Sequence, residues 1–166
     1  MIHRFALLAV VTLSLTFTFT ARAQQTLADM VTEANSGWMM GKWQAETDSG
    51  GRVTLAFSWE LNQKVIVLHV KTDDLEAKGY SVLEPGASQV SYFGIDDRGA
   101  VSRGSWNLED GELVLRLDIK RSETENIKVA LVFTGAATEG LRMRMHGIEG
   151  GSLAQPERLA LRFKKQ

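Results

Sequence analysis

From Trp43 to Phe163 apolar and polar residues alternate in short runs, each ended by a turn containing Gly, Asp, Asn or Pro, at a repeat of roughly 10–12 residues. Within 52–61, Val53, Leu55, Phe57, Trp59 and Leu61 fall on one face and Thr54, Ala56, Ser58 and Glu60 on the other. The same division sets Leu113, Leu115, Leu117 and Ile119 against Glu112, Arg116, Asp118 and Lys120, and Leu141, Met143 and Met145 against Arg142, Arg144 and His146. It returns with Leu159, Leu161 and Phe163 against Arg158, Arg162 and Lys164. A slip of one residue exchanges the two faces, so the pattern specifies register as well as strand identity. Ten strands are predicted: 41–47, 52–61, 65–72, 77–84, 89–95, 100–108, 112–121, 125–134, 141–148 and 157–164. The turns between them are chemically explicit, among them Asp48-Ser49-Gly50-Gly51, Glu84-Pro85-Gly86, Asp96-Asp97-Arg98-Gly99, Asp110-Gly111 and Glu149-Gly150-Gly151.

One oily face per strand has to leave water, and no later helical segment is available to cover an open sheet. Curling until the sheet closes buries that face and removes the exposed edges that invite aggregation. The expected fold is therefore all-β, an up-and-down antiparallel β-barrel of eight to ten strands with a short N-terminal helix. A two-sheet β-sandwich is the alternative. The helix is expected within 26–40, where Leu27, Met30, Val31 and Ala34 recur at helical spacing, Thr26 stands at the cap with Asp29 three residues on, and Asn35-Ser36-Gly37 forms a stop. Such a segment is expected to plug or lean on one end of the barrel.

The chain is thus divided into a leader (1–23), a helical segment (24–40) and a barrel domain (41–166). The leader reading rests on Arg4, the uncharged apolar and Thr/Ser run from Phe5 to Phe19, and Ala21-Arg22-Ala23 as a small-x-small cleavage site before Gln24. It implies an exported protein, periplasmic or secreted, that is not membrane-embedded once cleaved. Loss of Arg4 and Arg22 moves the near-balance of 19 basic and 20 acidic residues slightly further to the acidic side, which argues against a nucleic-acid partner. The chain has no cysteine. Packing and hydrogen bonding must hold the fold without disulfides, and thiolate metal sites, a cysteine nucleophile and a lipobox cysteine are absent.

No Gly-x-Ser-x-Gly, phosphate-loop or His-Glu-x-x-His pattern occurs, so catalysis has no visible carrier and a non-enzymatic protein is expected. Asp73-Asp74 and Asp96-Asp97 read as turn chemistry rather than a calcium loop. His69 and His146 alternate out of phase with their apolar neighbours and are expected at the surface. An inward His69 ligating haem is the minor alternative, and neither metal nor cofactor is expected. Candidate lumen residues are Phe57, Trp59, Leu115, Leu117, Val129, Leu131, Met143, Met145 and Leu161, with Tyr80 and Tyr92 as polar handles near a mouth. The same side chains would equally fill a small barrel. Arg142, Arg144, His146, Arg158, Arg162 and Lys164 are expected together on the outer face, with Glu46 relieving part of the repulsion.

Gly41-Lys42-Trp43, opening the first strand after a helical segment, resembles the start of lipocalin-like (calycin) barrels. Trp59-Glu60-Leu61 and Tyr92-Phe93-Gly94-Ile95-Asp96 are similar to segments of exported bacterial lipocalin-like domains of unknown function. The resemblance implies an antiparallel barrel that often binds a small apolar ligand in its lumen, and a basic residue packed over the first-strand Trp, matched here to Arg158 or Arg162. The leading expectation is an exported barrel that binds a small hydrophobic or amphipathic molecule. A filled barrel that contacts an anionic envelope surface or an acidic protein through its basic outer face is the second, and an isomerase- or cyclase-type enzyme using Tyr80 or Tyr92 the third.

Overall fold

The computed structural model describes residues 25–136 and 140–166; the expected leader lies outside them. Helix α1 (Leu27–Glu33) opens with a capping box, in which the Asp29 N–H donates to Thr26 Oγ1 at 3.2 Å and the Thr26 N–H donates to the Asp29 carboxylate at 2.8 Å. It is shorter than the periodicity suggests, because Asn35 takes a positive φ of 46° and a 3-10 turn (Gly37–Met39) follows. The strands are β1 (Gly41–Glu46), β2 (Arg52–Glu60), β3 (Val65–Lys71), β4 (Glu76–Leu83), β5 (Val90–Asp96), β6 (Val101–Glu109), β7 (Glu112–Lys120), β8 (Asn126–Ala136), β9 (Gly140–Glu149), the two-residue β10 (Ser152–Leu153) and β11 (Leu159–Lys165). Each pairs antiparallel with its sequence neighbour from β1 to β9, and β11 enters between β9 and β1 to close the ring. The result is a closed ten-stranded up-and-down barrel, as the alternation predicts, with β10 as an extra hairpin strand on β9.

The register sends the apolar phase of every long strand inward, into one continuous core that runs from Leu27 and Trp43 to Phe163. Leu61 departs furthest from its expected inward place. It sits in the β2–β3 turn with a positive φ of 48° and is 72% exposed, because β2 stops at Glu60. Helix α1, the 3-10 turn and the start of β1 lie at one end of the cylinder, together with the β2–β3, β4–β5 and β6–β7 turns.

At that end Trp43 is fully buried, and its indole N–H donates to the Met39 carbonyl at 2.7 Å, tying the 3-10 turn to β1. Lys165 places its ammonium 5.2 Å from the centre of the Trp43 ring. The basic residue over the first-strand Trp is therefore Lys165, and the match to Arg158 or Arg162 is corrected. Lys165 is directly opposite Trp43 in the β1–β11 ladder, whereas Arg162 lies three residues back and the Arg158 head lies against Gly147.

A second, smaller core lies outside the barrel. Val114, Ala130 and Val132 point outward from β7 and β8 yet are buried, because the β9–β10 hairpin folds over them with Ile148 and Leu153. Arg116 fastens this hairpin: its Nη1 donates to the Gly151 carbonyl at 2.9 Å while its Nε and Nη2 hold the Glu109 carboxylate at 2.7 and 2.8 Å.

Candidate functional site

Three aromatic rings meet inside the barrel. Phe57 of β2 meets Phe133 of β8 edge-to-face at 5.9 Å, and Trp106 of β6 packs on Phe133 at 5.6 Å. β6 and β8 flank β7 while β2 lies across the ring, so Phe57 reaches over the lumen to meet the other two rings, and the three together partition it. Deeper in, Tyr92 lies over Gly79 of β4 and Gly94 of β5; a Cβ at Gly79 would come within 2.0 Å of the Tyr92 hydroxyl oxygen. Glycines on adjacent strands thus provide the recess that the phenol fills.

Space remains between the aromatic partition and α1. A cavity of about 130 Å³ is floored by Phe57 and Trp106, walled by Ile66, Ser81, Val90 and Leu113, and roofed by Leu27, Met30, Val31 and Met39. No charged side chain lines it. Ser81 is 1% exposed and accepts a hydrogen bond from the Trp106 indole N–H at 2.9 Å. Its own O–H finds no acceptor among the described residues. Elsewhere in the lining, Ser36 Oγ–H donates to the Val31 carbonyl at 3.1 Å and the Asn107 side-chain carbonyl accepts from Gln89 at 2.7 Å.

Of the residues expected to line a lumen, Phe57 reaches this cavity. Leu115, Leu117, Val129, Met143 and Leu161 are buried in the core, and Trp59, Leu131 and Met145 pack against it partly buried. Tyr92 is inward, and burial pushes its hydroxyl up to about 12. No side chain among the described residues hydrogen-bonds that hydroxyl, so the inward tyrosine has no titratable partner. Tyr80 is corrected: it stands on the outer face, 41% exposed, opposite Phe93, because the inward phase of β4 is Ala77, Gly79, Ser81 and Leu83. The cavity residues absent from the expected set are Ser81, Trp106, Ile66, Val90, Leu113 and the underside of α1. Inward glycines Gly79, Gly94 and Gly104 on three successive strands were the available signal, since small residues in consecutive walls accommodate large ones opposite.

The outer basic group also differs from expectation. Arg142 does stand opposite Arg162 in the β9–β11 ladder, but Arg142 pairs with Glu157 at 3.6 Å and Arg144 with Glu112, so these carboxylates, rather than Glu46, offset the repulsion. The Arg158 guanidinium is packed at Gly147. His146 is 1% exposed beneath the β9–β10 hairpin, where its Nδ1–H donates to the Ala154 carbonyl at 3.0 Å. Arg158, Arg162 and Lys164 stay exposed without an ion pair among the described residues. His69 also faces outward, hydrogen-bonded to Glu76 at 2.8 Å, so neither described histidine offers its ring to the lumen. The Glu76 carboxyl is held below its ordinary value by His69 first and Lys71 second. The acid pairs serve their turns: Asp73 accepts the Arg52 N–H at 3.1 Å, and Asp96 those of Arg98 and Ala100 at 3.0 and 2.8 Å. Among the described residues no group of three or more acids and histidines could hold a metal ion.

No protein-family model matches the chain, and no curated protein matches it significantly in sequence.

Proposed function

We propose that this protein binds a small hydrophobic or amphipathic molecule in the cavity between α1 and the aromatic partition of the barrel. The observation that carries the reading is an apolar pocket of about 130 Å³, partly open to solvent, at the end where the helix docks. Empty apolar space costs packing energy, and a cavity lined by Leu, Ile, Phe and Met side chains is a receptive site for an apolar guest. Met30 and Met39 in the roof supply an adaptable surface. Kinship with lipocalin-like barrels is supported by Gly41 and Trp43 at the start of β1 and by the Lys165 ammonium over Trp43. The leader-like pattern of residues 1–23 supports work outside the cytoplasm, and the lack of a nucleophile or acid–base pair at the cavity supports binding rather than catalysis.

The test has two arms. Solvent extraction of purified protein with mass spectrometry looks for a resident guest, and NMR titration with toluene looks for uptake. Wild type should show shifts confined to Leu27, Val31, Ile66, Ser81 and Val90, and Val90→Phe, which fills the cavity, should abolish them while remaining folded. No resident molecule together with no toluene-induced shifts would remove the reading. The second reading, contact through the outer basic strands, is weakened by the internal partners of Arg142, Arg144 and His146.

A further inference from the structure

The chemical class of the guest follows from what the cavity offers and withholds. Its volume, about 130 Å³, is close to that of apolar cavities of about 150 Å³ that take up a single benzene ring. It lies well below the roughly 300–1,000 Å³ of sites for drug-sized ligands. The space between α1 and the aromatic partition holds about one ring, so a long acyl chain or a haem would have to extend out through its open side. With no charged side chain in the lining, an ionised headgroup would be desolvated without a counter-charge, which is heavily unfavourable.

One fully buried polar group of the lining keeps an unspent donor. Ser81 is 1% exposed on the cavity wall, and the Trp106 N–H occupies one lone pair of its oxygen, leaving the hydroxyl hydrogen without an acceptor among the described residues. A hydroxyl has one hydrogen to donate, and a buried donor left unmade is costly, so a guest that presents an acceptor gains where a hydrocarbon does not. The indole N–H holds the oxygen in place, and the hydroxyl hydrogen is free to turn about the Cβ–Oγ bond toward a guest.

We infer that the cavity selects a compact, uncharged molecule of about six or seven non-hydrogen atoms carrying a carbonyl or comparable acceptor, a cyclic ketone, lactone or short ester, bound through the Ser81 hydroxyl. This rests on the ligand-binding reading above and adds the size and the polar anchor.

Cyclohexanone and toluene, equal in heavy-atom count, are the probes, with dodecanoate as the long-chain comparison. The decisive pair of variants is Trp106→Phe and Ser81→Ala/Trp106→Phe, which differ only in the hydroxyl and leave no indole N–H to substitute for it. The ratio of cyclohexanone to toluene affinity should fall about five- to tenfold between them, the effect of one buried hydrogen bond. Wild type supplies a measurement independent of any variant: the carbonyl stretch of bound cyclohexanone should lie below its frequency in hexane. Dodecanoate should bind at least tenfold more weakly than either ring. An unchanged affinity ratio, or a carbonyl stretch at its hexane value, overturns the acceptor anchor while toluene uptake leaves the binding reading standing. Tight dodecanoate binding overturns the size limit in the same way. If neither ring nor chain binds, the binding reading itself fails.

Discussion

Gly79 and Tyr92 form a lock in which each residue explains the other. The absent Cβ lets the phenol lie flat against the β4 wall, and the phenol fills volume that the glycine would otherwise leave empty. Gly79→Ala should destabilise the protein by about 1–3 kcal/mol in urea unfolding, since overpacking forces the ring or the backbone to move. Combined with Tyr92→Leu, the same substitution should cost markedly less, and a strictly additive double mutant would show that the ring is not what it meets. Trp43 answers to different physics. It is fully buried, hydrogen-bonded to Met39 and covered by Lys165, so Trp43→Ala should cost about 3–5 kcal/mol, the range for truncating a large buried aromatic. Lys165→Met, which removes the charge and keeps the stem, should cost no more than about 1 kcal/mol.

At the scale of elements, the β9–β10 hairpin is held by a titratable clasp. The Arg116 guanidinium, hydrogen-bonded to Glu109, holds the Glu109 carboxyl below its ordinary value. A carboxyl whose folded value is depressed adds stability above its unfolded value of about 4.3, and that contribution disappears as pH falls through the folded value. The stability difference between wild type and Arg116→Met should therefore be constant from pH 7 to about pH 5 and shrink below it. It should also be modest and salt-sensitive, because both partners remain partly exposed. Hydrogen exchange should locate the loss in 148–154, where the hairpin meets Arg116; a loss spread evenly over β7 and β8 would contradict the clasp. None of this was legible beforehand. Alternation correctly sends Val114, Ala130, Val132 and His146 outward, but an outward residue is exposed only if nothing folds over it, and the Gly150-Gly151 turn that returns the chain across that face carries no sign of where it lands.

Over the whole molecule, periodicity was enough to give the architecture. The inward phases of β2, β7, β8 and β9 fall on Leu55, Leu115, Leu131 and Met143, as the pattern of hydrophobic residues requires, and the ends of most strands lie within a residue or two of their expected places. The site was less legible because it is made by elements far apart in sequence. Phe57, Ser81, Trp106 and Leu27 converge only once the sheet has closed and α1 has docked, and a lone serine on an inward phase looks like a defect until the Trp106 N–H is found beside it. Strand number alone also misleads about room inside. Ten strands enclose a wide cylinder, yet the ring–ring contacts of Phe57, Phe133 and Trp106 consume most of its width.

β11 has both its neighbours, β1 and β9, waiting on either side, and its backbone joins one end of the meander to the other. Without it, nine staves would leave two raw margins and an unsealed greasy hollow, the open edges through which β-proteins stick to one another.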